Sequence, residues 1–195
     1  MNKISTLFVM VLLLMIVSTS FTVAAEEEKY TSTMKVFRDS KAVQRFFNDC
    51  YGYAIFPVIG KAGWVVGGSY GKGWVFRDDK ITGRTSVIEG SIGFQFGGKA
   101  FSEIIFFQDK RAYDEFTGGG FEFDATIQAT AITAGAEVQA GSSGGTAGAT
   151  AGPRTDAQAN TRYYKGLAVF IHSKGGLMVE ASVGGQKFLF TPLID

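Results

Sequence analysis

Two periodicities divide the chain. From Thr31 to about Cys50, apolar residues recur at helical spacing. Val36, Val43, Phe47 and Cys50 share one face, with Ser40 in the stripe and Phe46 at its border. Arg38, Lys41 and Arg45 project from the opposite face, and Lys35 lies to one side. This pattern predicts one basic amphipathic helix of roughly five turns, capped by Thr31 or Ser32. The preceding Glu26-Glu27-Glu28-Lys29-Tyr30 reads as a charged, loose start.

From Tyr53 onward the period changes to two, and strands are expected. Tyr53–Ile59 is a short apolar strand in which Pro57 marks an edge or a bend. Trp64–Tyr70 and Gly73–Arg77 follow, with Gly71-Lys72-Gly73 as the turn between them. Asp78-Asp79-Lys80 is the next turn. In Ser86–Phe96 the residues Ile88, Ile92, Phe94 and Phe96 lie on one side, with Gly90 in the same row, which suggests a bulge, strong twist or close backbone approach. Gly97-Gly98 breaks the pattern. Phe101–Gln108 is apolar on both sides and reads as a central buried strand.

Asp109 is placed to cap a short helix ending near Phe116, with Tyr113 and Phe116 on one side and Thr117-Gly118-Gly119-Gly120 closing it. Alternation returns over Phe121–Gln139. Residues 140–160 are Gly, Ala, Ser and Thr with Pro153, a composition that buries too little apolar area to offset ordering, so a flexible loop is expected there. Tyr163–His172 and Leu177–Gly184 form a final pair of strands around the turn Lys174-Gly175-Gly176, and Lys187–Thr191 adds a short one. The fold class expected is α+β: a mostly antiparallel sheet or partial barrel, with one long N-terminal amphipathic helix and one short helix.

The first 25 residues stand apart. Lys3 precedes the apolar run Leu7–Val17, and Thr22-Val23-Ala24-Ala25 supplies small residues for cleavage after Ala25. The run is too short for a comfortable span of about 20 residues. Residues 1–25 therefore read as a signal peptide, 26–195 as a single domain, and the periplasm or the exterior as its location. Lipoprotein processing is not expected, because no cysteine follows the apolar run.

Composition then narrows the function. Of 19 basic residues one is Lys3, which leaves 18 against 18 acidic residues in the mature chain. A protein that neutralises nucleic-acid phosphates shows a basic excess, so nucleic acid is set aside as a partner. Cys50 is the single cysteine and cannot form an internal disulfide; on the apolar side of its helix it reads as a small buried hydrophobe.

Candidate chemistry is sparse. His172 is the one histidine, with no nucleophile elbow and no partner set for a triad. One His and one Cys do not make a metal site, and no cofactor is expected. The glycines between Gly60 and Gly73 lack the spacing of a phosphate loop and lead into strands, which favours a hairpin. Glu103, set among Phe101, Ile104, Ile105, Phe106 and Phe107, needs a Lys or Arg partner or solvent, because a buried lone carboxylate is costly. Trp64, Tyr70, Trp74 and Phe76, with Lys61 and Lys72 nearby, have the character of an interfacial surface.

Three ordered segments resemble the SYLF family. The first is Ala54-Ile55-Phe56-Pro57 with Lys61-Ala62-Gly63, Gly67-Gly68 and Gly71-Lys72-Gly73. The second is Gly90-Ser91-Ile92-Gly93-Phe94-Gln95-Phe96-Gly97-Gly98 leading to Ser102-Glu103-Ile104-Ile105-Phe106-Phe107. The third is Lys174-Gly175-Gly176-Leu177-Met178 with Ser182-Val183-Gly184-Gly185. Together with the preceding helix they cover nearly all of the mature chain. The resemblance implies a lipid-binding, non-enzymatic domain, and it makes Glu103 a feature of the family's fold. Eukaryotic relatives bind phosphoinositides, partly through a basic N-terminal helix, and some bind actin. In an exported bacterial-type member, anionic phospholipid replaces phosphoinositide, and actin is not expected as a partner.

The combined expectation is a phospholipid-binding module at a membrane surface, with Lys35, Arg38, Lys41, Arg45, Lys61, Trp64, Lys72 and Trp74 as candidate lipid-binding residues. The alternatives are a small outer-membrane β-barrel, or an envelope structural or protein-interaction protein.

Overall fold

The computed structural model describes residues 26–123, 129–132 and 162–193. The expected signal peptide (1–25) and the expected loop at 140–160 lie outside the described residues, as does most of the expected strand region 121–139.

The chain is mostly antiparallel sheet, which corrects the α+β expectation with its one long helix. The N-terminal helical region is two short helices, α1 over residues 26–39 and α2 over Lys41–Asp49. Ser40 between them is extended, with φ −81° and ψ 117°. The break has a packing cause. Thr33, Met34 and Phe37 of α1 and Val43 and Phe46 of α2 are the buried residues. On one straight helix Phe37 and Val43, six positions apart, would sit about 240° around the axis from each other. A kink at Ser40 lets both face the sheet. The buried stripe is therefore displaced from the expected Val36/Phe47/Cys50 face, and Phe46 lies at its centre. Nor are residues 26–30 loose: they are helical, and Thr31 and Ser32 donate back to the carbonyls of Glu27 and Lys29 instead of capping.

Among the described residues six strands form one sheet. They are β1 (Gly52–Gly63), β2 (Val66–Arg77), β3 (Lys80–Phe107), β4 (Phe121–Phe123), β5 (Ala129–Ile132) and β6 (Leu167–Pro192). The β1–β2 hairpin turns at Trp64-Val65, and no turn forms at Gly71-Lys72-Gly73, which lies inside β2. Asp78 and Asp79, both at positive φ (52° and 57°), make the tight turn into β3, as expected. Pro57 sits where the register of β1 shifts against both of its neighbours, so the bend reading of this proline fits.

β3 and β6 run on through the glycine pairs expected to break them. β2 pairs with the first half of β3, from Lys80 to Ile92, and β1 pairs with its second half, from Gly97 to Phe107. Both pairings are antiparallel, so β3 must reverse direction around the end of the hairpin. The four strand positions across that end span about 14 Å, and the five steps from Ile92 to Gly97 cover about 16 Å. β3 thus turns a corner without leaving the ladder, because β6 stays paired with it from Gly83↔Pro192 to Phe107↔Leu167.

The sheet curls. Phe56 of β1 and Phe188 of β6 are not on paired strands, yet their rings are 5.6 Å apart across the interior. The inner face packs Phe56, Ile59, Val87, Ile105, Phe107 and Phe188 against Ala112, Tyr113 and Phe116 of α3 (Lys110–Thr117). Asp109 caps α3 as expected, accepting from the Ala112 N–H at 2.9 Å. At the turn into β6, Lys165 and Gly166 both have positive φ, and a side chain on Gly166 would strike Arg111 of α3. The outer face carries Tyr53, Ile55, Phe76, Ile104, Phe106 and Phe170 under α1 and α2. As expected, Phe101–Phe107 is buried on both faces.

Candidate functional site

The helices cover only the half of the outer face nearest the strand ends at Tyr53, Phe76 and Phe106. Towards the hairpin turn the same face is bare. Its rows read Ala100–Gly60–Tyr70–Ile88 and Gly98–Ala62–Gly68–Gly90 across β3, β1, β2 and β3 again. Small residues floor a shallow open trough of about 810 Å³, bordered by Tyr70, Ile88 and Lys174. A Cβ built on Gly60 or Gly90 meets nothing within 4 Å, and neither glycine has positive φ. The backbone there does not require glycine, and the close approach expected at Gly90 is absent.

The trough opens onto an apolar tip. Trp64 is 72% exposed, Ile92 72% and Phe96 57%, and Val65 and Val66 are exposed beside them. The Trp64 ring packs edge-on to Phe96 at 5.4 Å, which fixes its orientation. Val66 lies opposite Ile92 on the β2–β3 ladder.

Acids are few on β1, β2 and β3 near this end. Between Val58 and Trp74 and between Arg84 and Glu103, the acidic residues are Glu89 and Glu103 alone. Both are turned inward. Lys61 Nζ donates to Glu89 Oε1 at 2.5 Å and Ser69 Oγ to Glu89 Oε2 at 2.9 Å, in a row that spans three strands. Glu103 is 2% exposed, and its Oε1 has no hydrogen-bond partner. Burial first, and then the nearby Glu89 carboxylate, push its pKa up to about 8, opposed by a hydrogen bond with the Gln186 side chain. The expected Lys or Arg partner is replaced by protonation. Lys72 and Lys174 remain on the exposed surface, and Lys99, opposite Lys61 on the ladder, is half-buried on the other face near the Phe101 ring. Lys174 Nζ donates to Thr33 Oγ1 at 3.1 Å, and burial and the Lys29 charge lower its pKa.

The eight residues singled out in the sequence do not form one surface. Lys35 pairs with Asp39 at 2.6 Å. Arg38 pairs with Asp79 at 3.3 Å and lies over the Phe47 ring. Arg45 lies over Phe46, and Lys41 is exposed. The basic helix face is thus partly neutralised by neighbouring acids. Lys61 is buried against Glu89, and Trp74 is half-buried against Tyr30. Trp64 and Lys72 belong to the bare half. Sequence reasoning missed Val65, Val66, Ile92 and Phe96 as a cluster with Trp64. The signal available was an apolar turn, Trp64-Val65-Val66, where hairpin turns are ordinarily polar.

The remaining reactive groups are quiet. Cys50 is half-buried, and burial pushes its thiol up to about 11. Burial and Lys174 lower the pKa of His172. Among the described residues no group of three or more His, Cys, Asp or Glu side chains is placed to hold a metal ion.

No known family profile matches the chain, and no solved structure matches it. The chain is similar to a curated protein of Aeromonas veronii named Beta cell expansion factor A, at 24% identity over 161 residues, 81% of this chain and 52% of that protein. The chain therefore spans about half the length of the curated relative that it matches.

Proposed function

We propose that this chain is an exported, non-enzymatic phospholipid-binding module of the SYLF type that docks on an anionic membrane surface. One observation carries the reading: half of the outer sheet face is bare and apolar, and Lys72 and Lys174 are exposed beside it. Surface apolar clusters bounded by one sign of charge suit an interface where hydrocarbon lies beneath charged headgroups. The trough offers a concave apolar surface beside Lys174, the combination that an acyl chain with an anionic headgroup needs. Export to the periplasm or beyond rests on the pattern of residues 1–25, and the SYLF assignment on the three ordered motifs.

A membrane-spanning barrel fits less well. Such a barrel turns its outer face to lipid around its whole girth. Here α1 and α2, with polar outer sides, occupy half of that face.

Co-flotation of the mature chain with liposomes tests the proposal. Binding to vesicles containing phosphatidylglycerol, weak binding to neutral vesicles, and loss of binding as salt rises are expected. A folded protein that floats with neither vesicle contradicts it.

A further inference from the structure

The strand order divides the curled sheet into two limbs. One holds β2, residues 80–92 of β3 and residues 185–192 of β6; the other holds β1, residues 97–107 of β3 and residues 167–173 of β6. At one end α3 pins the limbs together, because the Phe116 ring lies 4.9 Å from Phe107 of one limb and 5.3 Å from Phe188 of the other. Farther from α3 the contact between them is polar.

Glu103 stands on the β1 limb, where its ladder partners are Phe56 and Ile171. Glu89 and Gln186 are paired with each other on the β2 limb. Yet the Gln186 side chain hydrogen-bonds Glu103, and the Glu89 carboxylate is close enough to act on it. Neither is a ladder neighbour of Glu103, so both meet it across the interior. Glu89 is already answered, with Lys61 on Oε1 and Ser69 on Oε2. Glu103 Oε1 has no hydrogen-bond partner and is shut away from water. Its neighbours on its own limb are the apolar Phe56, Phe101, Ile105 and Ile171, and Lys99 lies four residues along the same face, near the Phe101 ring.

We infer that Glu103 is a proton-operated latch between the two limbs: protonated, it closes on Gln186, and ionised, it faces Glu89 across the interior and drives the limbs apart at the end remote from α3. Ionisation would leave two carboxylates facing each other around the one Lys61 ammonium, and a buried charge without a partner is costly. Parting the limbs brings water to Glu103 and weakens the repulsion while the ladders stay intact, a local opening and not an unfolding. The corner of β3 and β6 supplies the hinge. Gly97 and Gly175 there have positive φ (114° and 126°), and a Cβ on Gly175 would meet nothing within 4 Å. The latch is independent of membrane docking.

The sign follows from where the proton is held more tightly. In the closed form the Glu103 pKa is pushed up to about 8, and in the open, hydrated form it returns towards the ordinary 4.5. Closure is therefore fully favoured below about pH 4.5, and the open-to-closed ratio rises with pH until it levels above about 8.

Competitive acetylation of the wild-type mature chain tests the latch. The probe is a trace of acetic anhydride, with the products read by mass spectrometry from pH 6 to pH 9. The Lys61 side chain is 5% exposed and reports opening, and the exposed Lys72 is the internal standard. The expected Lys61-to-Lys72 reactivity ratio rises roughly tenfold or more across this range, levels above about pH 8, and does not respond to low urea. In Glu103→Gln the ratio stays within about twofold over the same range. A flat wild-type ratio overturns the latch. So does a rise that steepens with urea, which marks global unfolding, or an equal rise in Glu103→Gln, which assigns the opening to another group. If Glu103→Gln does not fold, the wild-type profile decides alone, and a ratio that keeps climbing past pH 8 overturns the inference.

Discussion

The two halves of the outer sheet face are carried by the same strands and finished in opposite ways. Near the strand ends, Tyr53, Phe76, Phe106 and Phe170 are roofed by α1 and α2, and the aromatic rings pack at centroid distances of 4.9–6.0 Å, mostly edge-on or tilted. Towards the hairpin turn, the rows thin to Gly60, Ala62, Gly68, Gly90 and Gly98 and then end in exposed Trp64, Ile92 and Phe96. The roofed half is a core like any other, and its helices bind their own charges into pairs such as Lys35–Asp39 and Arg38–Asp79. The bare half leaves apolar area in water and, on β1–β3, turns its acids inward. The contrast teaches that the apolar face of the helices was a stability feature, and that the surface available for a partner lies where no helix reaches.

The comparison is broken most severely from the roofed side. Phe106→Ala removes a ring packed on Phe46, Phe47 and Phe170. It is expected to cost about 3–5 kcal/mol in chemical denaturation, without altering vesicle binding by the molecules that remain folded. Lys61→Met should cost a similar amount, about 3–5 kcal/mol, by stranding the Glu89 carboxylate in the interior. Lys61→Met combined with Glu89→Leu should recover most of that loss, which a double-mutant cycle would measure.

Glu103 gives a pH signature. Its folded pKa is raised to about 8 from an ordinary 4.5. A raised carboxyl pKa means that the folded state holds the proton more tightly. Its contribution is fully present below about pH 4.5 and is lost as pH rises through about 8. Unfolding free energy should therefore fall across that window by an amount on the order of a few kcal/mol. Glu103→Gln should flatten the profile over the same range, and a Glu103→Gln profile as steep as the wild type would contradict the assignment.

On the bare side the effects reverse. Trp64→Ser/Ile92→Ser alters two exposed residues and should change stability by no more than about 0.5 kcal/mol. Vesicle affinity should fall by tenfold or more, measured by flotation at a series of lipid concentrations.

The sequence was legible where the cause was local. Asp109 three residues before a buried alanine gave the cap of α3. The doubly apolar run at Phe101–Phe107 gave a strand buried on both faces, and Asp78-Asp79 gave a turn. It misled where long-range pairing decides. Gly97-Gly98 and Lys174-Gly175-Gly176 look like turns on their own, but each strand holds the other in the ladder through those positions. The break at Ser40 follows from a sheet that asks Phe37 and Val43 to face the same way, which helical periodicity alone does not show. Lys61 reads as a surface lysine until Glu89, 28 positions on, is brought beside it.

The central claim is that the bare half of the sheet, and not the basic helix face, meets the membrane. Co-flotation with phosphatidylglycerol vesicles of Lys72→Glu/Lys174→Glu, set against Arg38→Glu/Lys41→Glu/Arg45→Glu, tests it most directly, with thermal unfolding of both variants to establish that they are folded. The structure predicts at least a tenfold loss for the first variant and less than a threefold change for the second. The opposite ranking, with the helix variant losing binding and the sheet variant keeping it, would contradict the claim.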